Sequence, residues 1–230
     1  MTMREPYESP VAVCADLPDG LGRYLFEDVL PRYAAFDAAH RQDHALAVLR
    51  RSLQLGVPLG ADPAMLSVVA LFHDLGLSGG REQHHLLSGR ILRADAMLRS
   101  VFLPEQIELM AQAVEDHRAS ASREPRSLYG RIVAEADRLI IPELIMQRTL
   151  QYGLDHYPEL PPAAHVERAL SHLREKYGPH GYLRLWIPGS GNERRLHRLW
   201  EEMSDEPALR RRLSGMLASL LSDASGSSGS

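Results

Sequence analysis

Two adjacent residues, His73 and Asp74, follow an unbroken apolar run, Val68-Val69-Ala70-Leu71-Phe72. An imidazole beside a carboxylate at the end of such a run is costly to bury without partners. A divalent ion resolves that cost, because imidazole nitrogen and carboxylate oxygen are both good ligands for first-row metals. The plain alternative is a histidine at a helix end next to a solvated aspartate, and the dipeptide alone does not choose. Its companions carry more weight. His44 falls on a helical face with Val48 and Leu55, and Asp137 on one with Val133, Ala134 and Ile141. His117 closes another apolar pattern, and His84-His85 opens one after Gly76, Gly79 and Gly80. Each singly is more often a core or surface residue than a ligand. Together they offer five or six nitrogen and oxygen donors from five helices, which suits two octahedral ions or one ion with supporting groups behind its ligands.

The elements that must position these groups are helices. Apolar residues recur at helical spacing almost everywhere and β-branched alternation is missing, so the expected fold is all-α. Helices are predicted over residues 21–36 (interrupted near Pro31), 37–55 (ended by Gly56), 84–98, 104–117, 127–141 and 142–152. Asp62-Pro63 supplies an N-cap and a proline at the first helical position. The helix they open is apolar all round and is predicted to be central and buried. Past Pro158, Pro161 and Pro162, amphipathic helices are predicted over 163–177, 192–203 and 206–221, with a Gly/Pro-rich stretch at 187–192. The expected organisation is an N-terminal helical segment (1–36), a core (37–154), a helical C-terminal extension (155–223), and a Gly/Ser tail (224–230) that reads as a flexible linker or expression scar.

With 230 residues, 44% of them hydrophobic and 24% charged, the chain is long enough to bury a sizeable core. A net charge of −4 excludes a general positive field for nucleic acid or membrane, though not a local basic pocket. The single cysteine, Cys14, excludes an internal disulfide framework and fits a reducing compartment. No signal-peptide or membrane-length apolar run stands out, so the cytoplasm is the expected location.

The order His44 … His73-Asp74 … Asp137 resembles the HD-domain superfamily of metal-dependent phosphohydrolases, which takes its name from the His-Asp pair. Phe72-His73-Asp74-Leu75-Gly76 is close to the family's apolar-HD-apolar-Gly segment, and Glu135-Ala136-Asp137-Arg138 resembles its closing Ala-Asp element. The added His84 and His117 resemble the subset with two further histidines and a dinuclear centre. The resemblance covers about residues 41–152. The marks of the cyclic-di-GMP phosphodiesterases, the stringent-response hydrolases and the deoxynucleoside triphosphohydrolases are missing. In dinuclear members a small residue follows the third histidine by four; Ser88 stands there for His84 and Gly89 for His85, and helix geometry favours His84.

The resemblance implies hydrolysis of a phosphomonoester or phosphodiester, in a nucleotide or related small molecule, with divalent ions (iron, manganese, magnesium, cobalt or zinc) as cofactors and two as the expected number. It implies that Asp74 bridges them and is catalytic, with His44, His73 and Asp137 on one ion and His84 and His117 on the other. Arginine's planar fork suits phosphate. Arg41, three residues before His44, and Arg118, directly after His117, are the expected substrate contacts. The polar loop 117–127 reads as a flap or an ordinary connection, and Ser127 as an N-cap. Arg138 is expected to pair on the surface, His156, His165, His172, His180 and His197 to be surface or packing residues, Trp186 and Trp200 to anchor helices, and Arg210-Arg211-Arg212 to be a solvated face. The expected partner is a small phosphorylated molecule; membrane and nucleic acid are not expected, and self-association stays open. Two rivals stay open on the same scaffold: a mixed-valent di-iron oxygenase, and an idle nucleotide-binding module.

Overall fold

A computed structural model describes residues 17–36, 41–120, 123–138 and 140–226. Cys14 and residues 227–230 lie outside the described residues. Among the described residues there are helices and turns and no strand. The chain forms two compact units, Met1–Arg138 and Leu139–Ser230.

The first unit is built around α2 (Pro63–Phe72). The Asp62 carboxylate caps it, accepting the amides of Ala64 at 2.7 Å and Met65 at 3.1 Å, and every residue from Ala64 to Phe72 is buried. An apolar helix of this kind needs cover on all sides. It receives cover from α1 (Gln42–Gly56), α3 (His84–Ala94), α5 (Pro104–Glu115), α6 (Leu128–Asp137) and the N-terminal segment. That segment runs as Leu21–Arg23, a π-helical Tyr24–Val29 and a 3-10 Leu30–Ala35; Pro31, which has no amide proton to give, falls where the winding changes.

The helix expected over 84–98 is two helices, α3 and α4 (Ala96–Val101). Asp95 breaks it. Its backbone is extended, its carboxylate accepts the Leu98 amide at 3.0 Å, and Tyr24 donates its phenol to the same side chain, so local and tertiary bonds together outweigh one more helical turn. The helix expected to reach 141 stops at Asp137, where Arg138 leaves helical geometry; Ser127 caps its start, accepting the Gly130 amide at 3.1 Å.

The second unit holds α7 (Pro142–His156), α8 (Pro162–Tyr177), α9 (Asn192–Ser204) and α10 (Glu206–Gly226). α7 packs on α8 and α10. Residues 142–154, expected with the core, fall in this unit, where α7 makes these contacts. α10 continues past the expected end at 221 to Gly226. The arginine run on α10 is paired rather than merely solvated: Arg210 meets Glu167 and Glu206, and Arg212 meets Glu143 and Glu202. His165 is buried, and Trp200 donates its indole N–H to the Tyr177 carbonyl. No helix among the described residues is long and apolar enough to cross a membrane.

Candidate metal centre

α2 ends at Phe72, and the chain leaves it through His73 and Asp74, both buried. Asp74 has φ −107° and ψ 3°, outside helical geometry, so the chain bends as it leaves α2. Tyr33, fully buried, holds this exit: its hydroxyl donates to the Leu71 carbonyl at 3.1 Å and accepts the Asp74 amide in a longer contact of 3.4 Å. The 3-10 turn Leu75–Gly79 then lies directly on the first turns of α3. Gly76 makes that approach feasible. A Cβ there would stand 2.6 Å from the Ser88 amide nitrogen and closer still to the His84 carbonyl, while its own N–H donates to Ser88 Oγ at 2.8 Å. The result is that His84, ten residues on, meets Asp74.

Asp74 lies between two histidine pairs. Its Oδ2 is 3.2 Å from His73 Nε2 and 3.6 Å from His44 Nε2; its Oδ1 is 3.4 Å from His84 Nε2 and 3.5 Å from His117 Nε2. On the first side Asp137 adds an oxygen 3.3 Å from His44 Nε2 and 4.0 Å from His73 Nε2. On the second side the His84 and His117 Nε2 atoms are 3.1 Å apart. All six predicted ligands thus converge, from α1, α2, α3, α6 and the end of α5. His85 does not join either group; it is half-buried, its ring 5.6 Å from that of His84.

Three of the four imidazoles are oriented in the same way. His73, His84 and His117 each place Nδ1 on the carbonyl three residues earlier, Ala70 at 2.7 Å, Arg81 at 2.8 Å and Val114 at 2.6 Å. A carbonyl only accepts, so Nδ1 carries the proton and the Nε2 lone pair points into the centre. His73 Nε2 is buried with no hydrogen-bond partner. Lone pairs facing one another and a carboxylate are balanced only by positive charge between them. Two donors about 2.1 Å from one ion, at octahedral or tetrahedral angles, lie about 3.0–3.4 Å apart. Within the two groups the spacings run from 3.1 to 3.6 Å, in or just above that range, with only His73 to Asp137 longer at 4.0 Å, so the donor set fits divalent ions held by His44, His73 and Asp74 on one side and by Asp74, His84 and His117 on the other.

The electrostatics agree. Burial works against ionised Asp74, yet His73, His117 and His44 hold it well below the ordinary carboxylate range. Burial likewise opposes charge on Asp137, and His44 lowers it. His44 is raised to about 9: burial favours the neutral ring, but Asp137 and Asp74 prevail. His117 is raised, with burial again opposing and Asp74 prevailing, while His84 is lowered by burial and by its neighbour His117. In the absence of metal, protons take over part of the charge balance.

The two arginines stand differently. Arg118 is half-buried and donates to the Glu82 carbonyl at 2.7 Å. Its charge, after burial and that of His117, helps push His85 down to about 4. Arg41 is the N-cap of α1, with its carbonyl accepting the His44 and Ala45 amides and its side chain exposed. Neither arginine has a carboxylate partner among the described residues. Arg138, expected at the surface, is buried, at the point where the backbone leaves α6. Sequence reading missed Tyr33 and the buried Asp116. Tyr33 carries no local signal, since its contacts lie 38 and 41 residues away. Asp116 had one, a carboxylate directly before His117, a predicted ligand at a helix end.

Residues 41–140 match the family model described as HD domain. No curated protein and no solved structure gave a significant match. The matched span runs from the cap of α1 to just past Asp137, and so contains all six converging groups; over these residues the chain carries an HD domain.

Proposed function

We propose that this HD domain is a phosphohydrolase that works with two divalent ions and cleaves a phosphomonoester or phosphodiester, in a nucleotide or a related small molecule. HD domains are in general metal-dependent hydrolases, and the single observation that supports the two-ion form is the position of Asp74, one carboxylate oxygen facing each histidine pair. Bound divalent ions would supply Lewis acidity toward a phosphoryl oxygen and acidify water near neutral pH. The chain's own groups do the rest. The Nδ1 bonds to Ala70, Arg81 and Val114 fix three rings before any ligand arrives, so little reorganisation is needed. Asp74 keeps the two halves of the centre in register through one rigid carboxylate. Arg118 and Arg41, with no carboxylate partner among the described residues, are the cations we assign to a phosphate, Arg118 following His117 directly in the chain. Asp74 is the residue on which catalysis depends.

The test is phosphate release by metal-loaded protein, purified without oxygen, across a panel of phosphomonoesters, phosphodiesters and nucleotides, with Asp74→Ala alongside. Wild type should turn over at least one class, and Asp74→Ala should lose it while keeping its helical circular dichroism. Near-native turnover by metal-loaded Asp74→Ala would place the chemistry elsewhere. Iron-loaded protein that consumes dioxygen and releases no phosphate from any substrate would make it an oxygenase instead.

A further inference from the structure

Beside the outer histidines lies a chain of charged groups that touches no ligand directly. Asp116, buried and immediately before His117, accepts three bonds from Arg126: the backbone N–H to Oδ2 at 2.8 Å, and Nε to Oδ2 at 2.9 Å and Oδ1 at 3.1 Å. The same guanidinium reaches back to the Gln112 carbonyl at 3.0 Å and to Glu115 Oε2 at 2.7 Å. Glu115 in turn accepts Arg93 at 2.5 Å, and Arg93 clasps Glu108 with two further bonds. Gly89 lets α3 and α5 close on this spot, since a Cβ there would meet Glu115 at 2.7 Å. Three pieces of chain are thereby fastened together: α3, which begins with His84; the end of α5, which delivers His117; and the approach to α6, which carries Asp137.

We propose that Arg126, acting through Asp116 and Glu115, is a positioning residue for the outer half of the centre, setting the separation of His117 from His84 and hence the retention of the ion they share with Asp74. This rests on the two-ion reading given above. Stability alone does not account for the arrangement. Ion pairs at this degree of exposure contribute about 0–1 kcal/mol each, and burying Asp116 for that return is a poor exchange. Geometry does account for it. The peptide joining Asp116 to His117 has its carboxylate end held by Arg126 and its imidazole end held by the Val114 carbonyl, so His117 is fixed from both sides. Groups of this kind behind a ligand typically govern metal affinity by about 10–100-fold.

The experiment is competition of Zn²⁺ between full-length protein and a chelator, resolving the two binding steps, for wild type, Arg126→Gln, Arg126→Lys and Arg123→Gln. In Arg126→Gln the backbone N–H and Arg123 still serve Asp116, so the carboxylate is not stranded. The weaker, outer step should lose about 10–100-fold in affinity while the inner step is unchanged. Arg126→Lys, which restores a charge but not the fork, should recover part of the loss. Arg123→Gln, which removes a partner of the same carboxylate from an exposed position, should match wild type. Glu115→Gln is read in the same way and decides the matter should Arg126→Gln fold poorly. Unchanged outer affinity in Arg126→Gln and Glu115→Gln, with two ions in wild type, overturns the positioning role alone. Equal weakening of both steps also overturns it, since that is general loosening. A wild type that holds one ion at saturation refutes the two-ion reading and this inference with it.

Discussion

Gly76→Ala is the smallest change that should pull the two halves of the centre apart. The new methyl would sit 2.6 Å from the Ser88 nitrogen and nearer to the His84 carbonyl, and both are backbone atoms that cannot swing aside. Restoring ordinary contact at about 3.5–4.0 Å with the His84 carbonyl oxygen, the nearer of the two, needs the turn after Asp74 to retreat from α3 by about 1.5–2 Å. Overpacking of this kind costs about 1–3 kcal/mol. The bond from Gly76 N–H to Ser88 Oγ stretches or breaks as well, adding about 0.5–1.5 kcal/mol. A loss of about 2–4 kcal/mol should lower Tm by roughly 5–15 °C for a chain of this size. The same retreat carries His84 away from Asp74 Oδ1, from 3.4 Å to beyond the span that one ion bridges. Thermal melting of metal-free protein and the metal-to-protein ratio at saturation read both effects. Gly79→Ala is the control, because its methyl meets only the end of the Leu87 side chain, which can rotate away. A Gly76→Ala protein that melts with wild type and keeps both ions would refute the claim that this close approach brings His84 to the centre.

Truncating His117 to Ala should leave about one ion of two, whereas His73→Ala should strip both, through loss of the inner site and disturbance of Asp74; His85→Ala should keep both, and metal analysis at saturation decides. Metal-free protein should be most stable in mildly acid solution. His44 is raised from 6.5 to about 9, so its contribution is complete below about pH 6.5 and is lost as the pH rises through 9; Asp137 and Asp74 are lowered, so theirs is lost as the pH falls below the ordinary carboxylate range. Chemical denaturation of metal-free protein at pH 6 and pH 9 should differ by a few kcal/mol at most, with pH 6 the more stable. The opposite order would mean that His44 does not share a proton with Asp137.

Much of this protein was legible in its sequence, because the signals were local and repeated. Helical spacing with no β alternation gave the class, and Asp62-Pro63 marked the start of α2. The apolar surface on every side of that helix made His73 and Asp74 conspicuous, and the ordered set from His44 to Asp137 named the family. What the sequence did not hold was anything decided by two segments meeting. Asp95 splits a continuous helical pattern because Tyr24, 71 residues away, donates to it. Tyr33 braces the Asp74 exit from 41 residues away. Gly76 reads locally as a helix stop, but its lack of a side chain matters because α3 lies against it. Between His84 and His85, helix geometry already favoured His84, and the packing brings that ring beside Asp74. Neighbouring side chains on a helix diverge by about 100°, so one of the two at most can face the centre, and the distance that makes His84 meet Asp74 is set by the placement of α3, which local spacing does not contain.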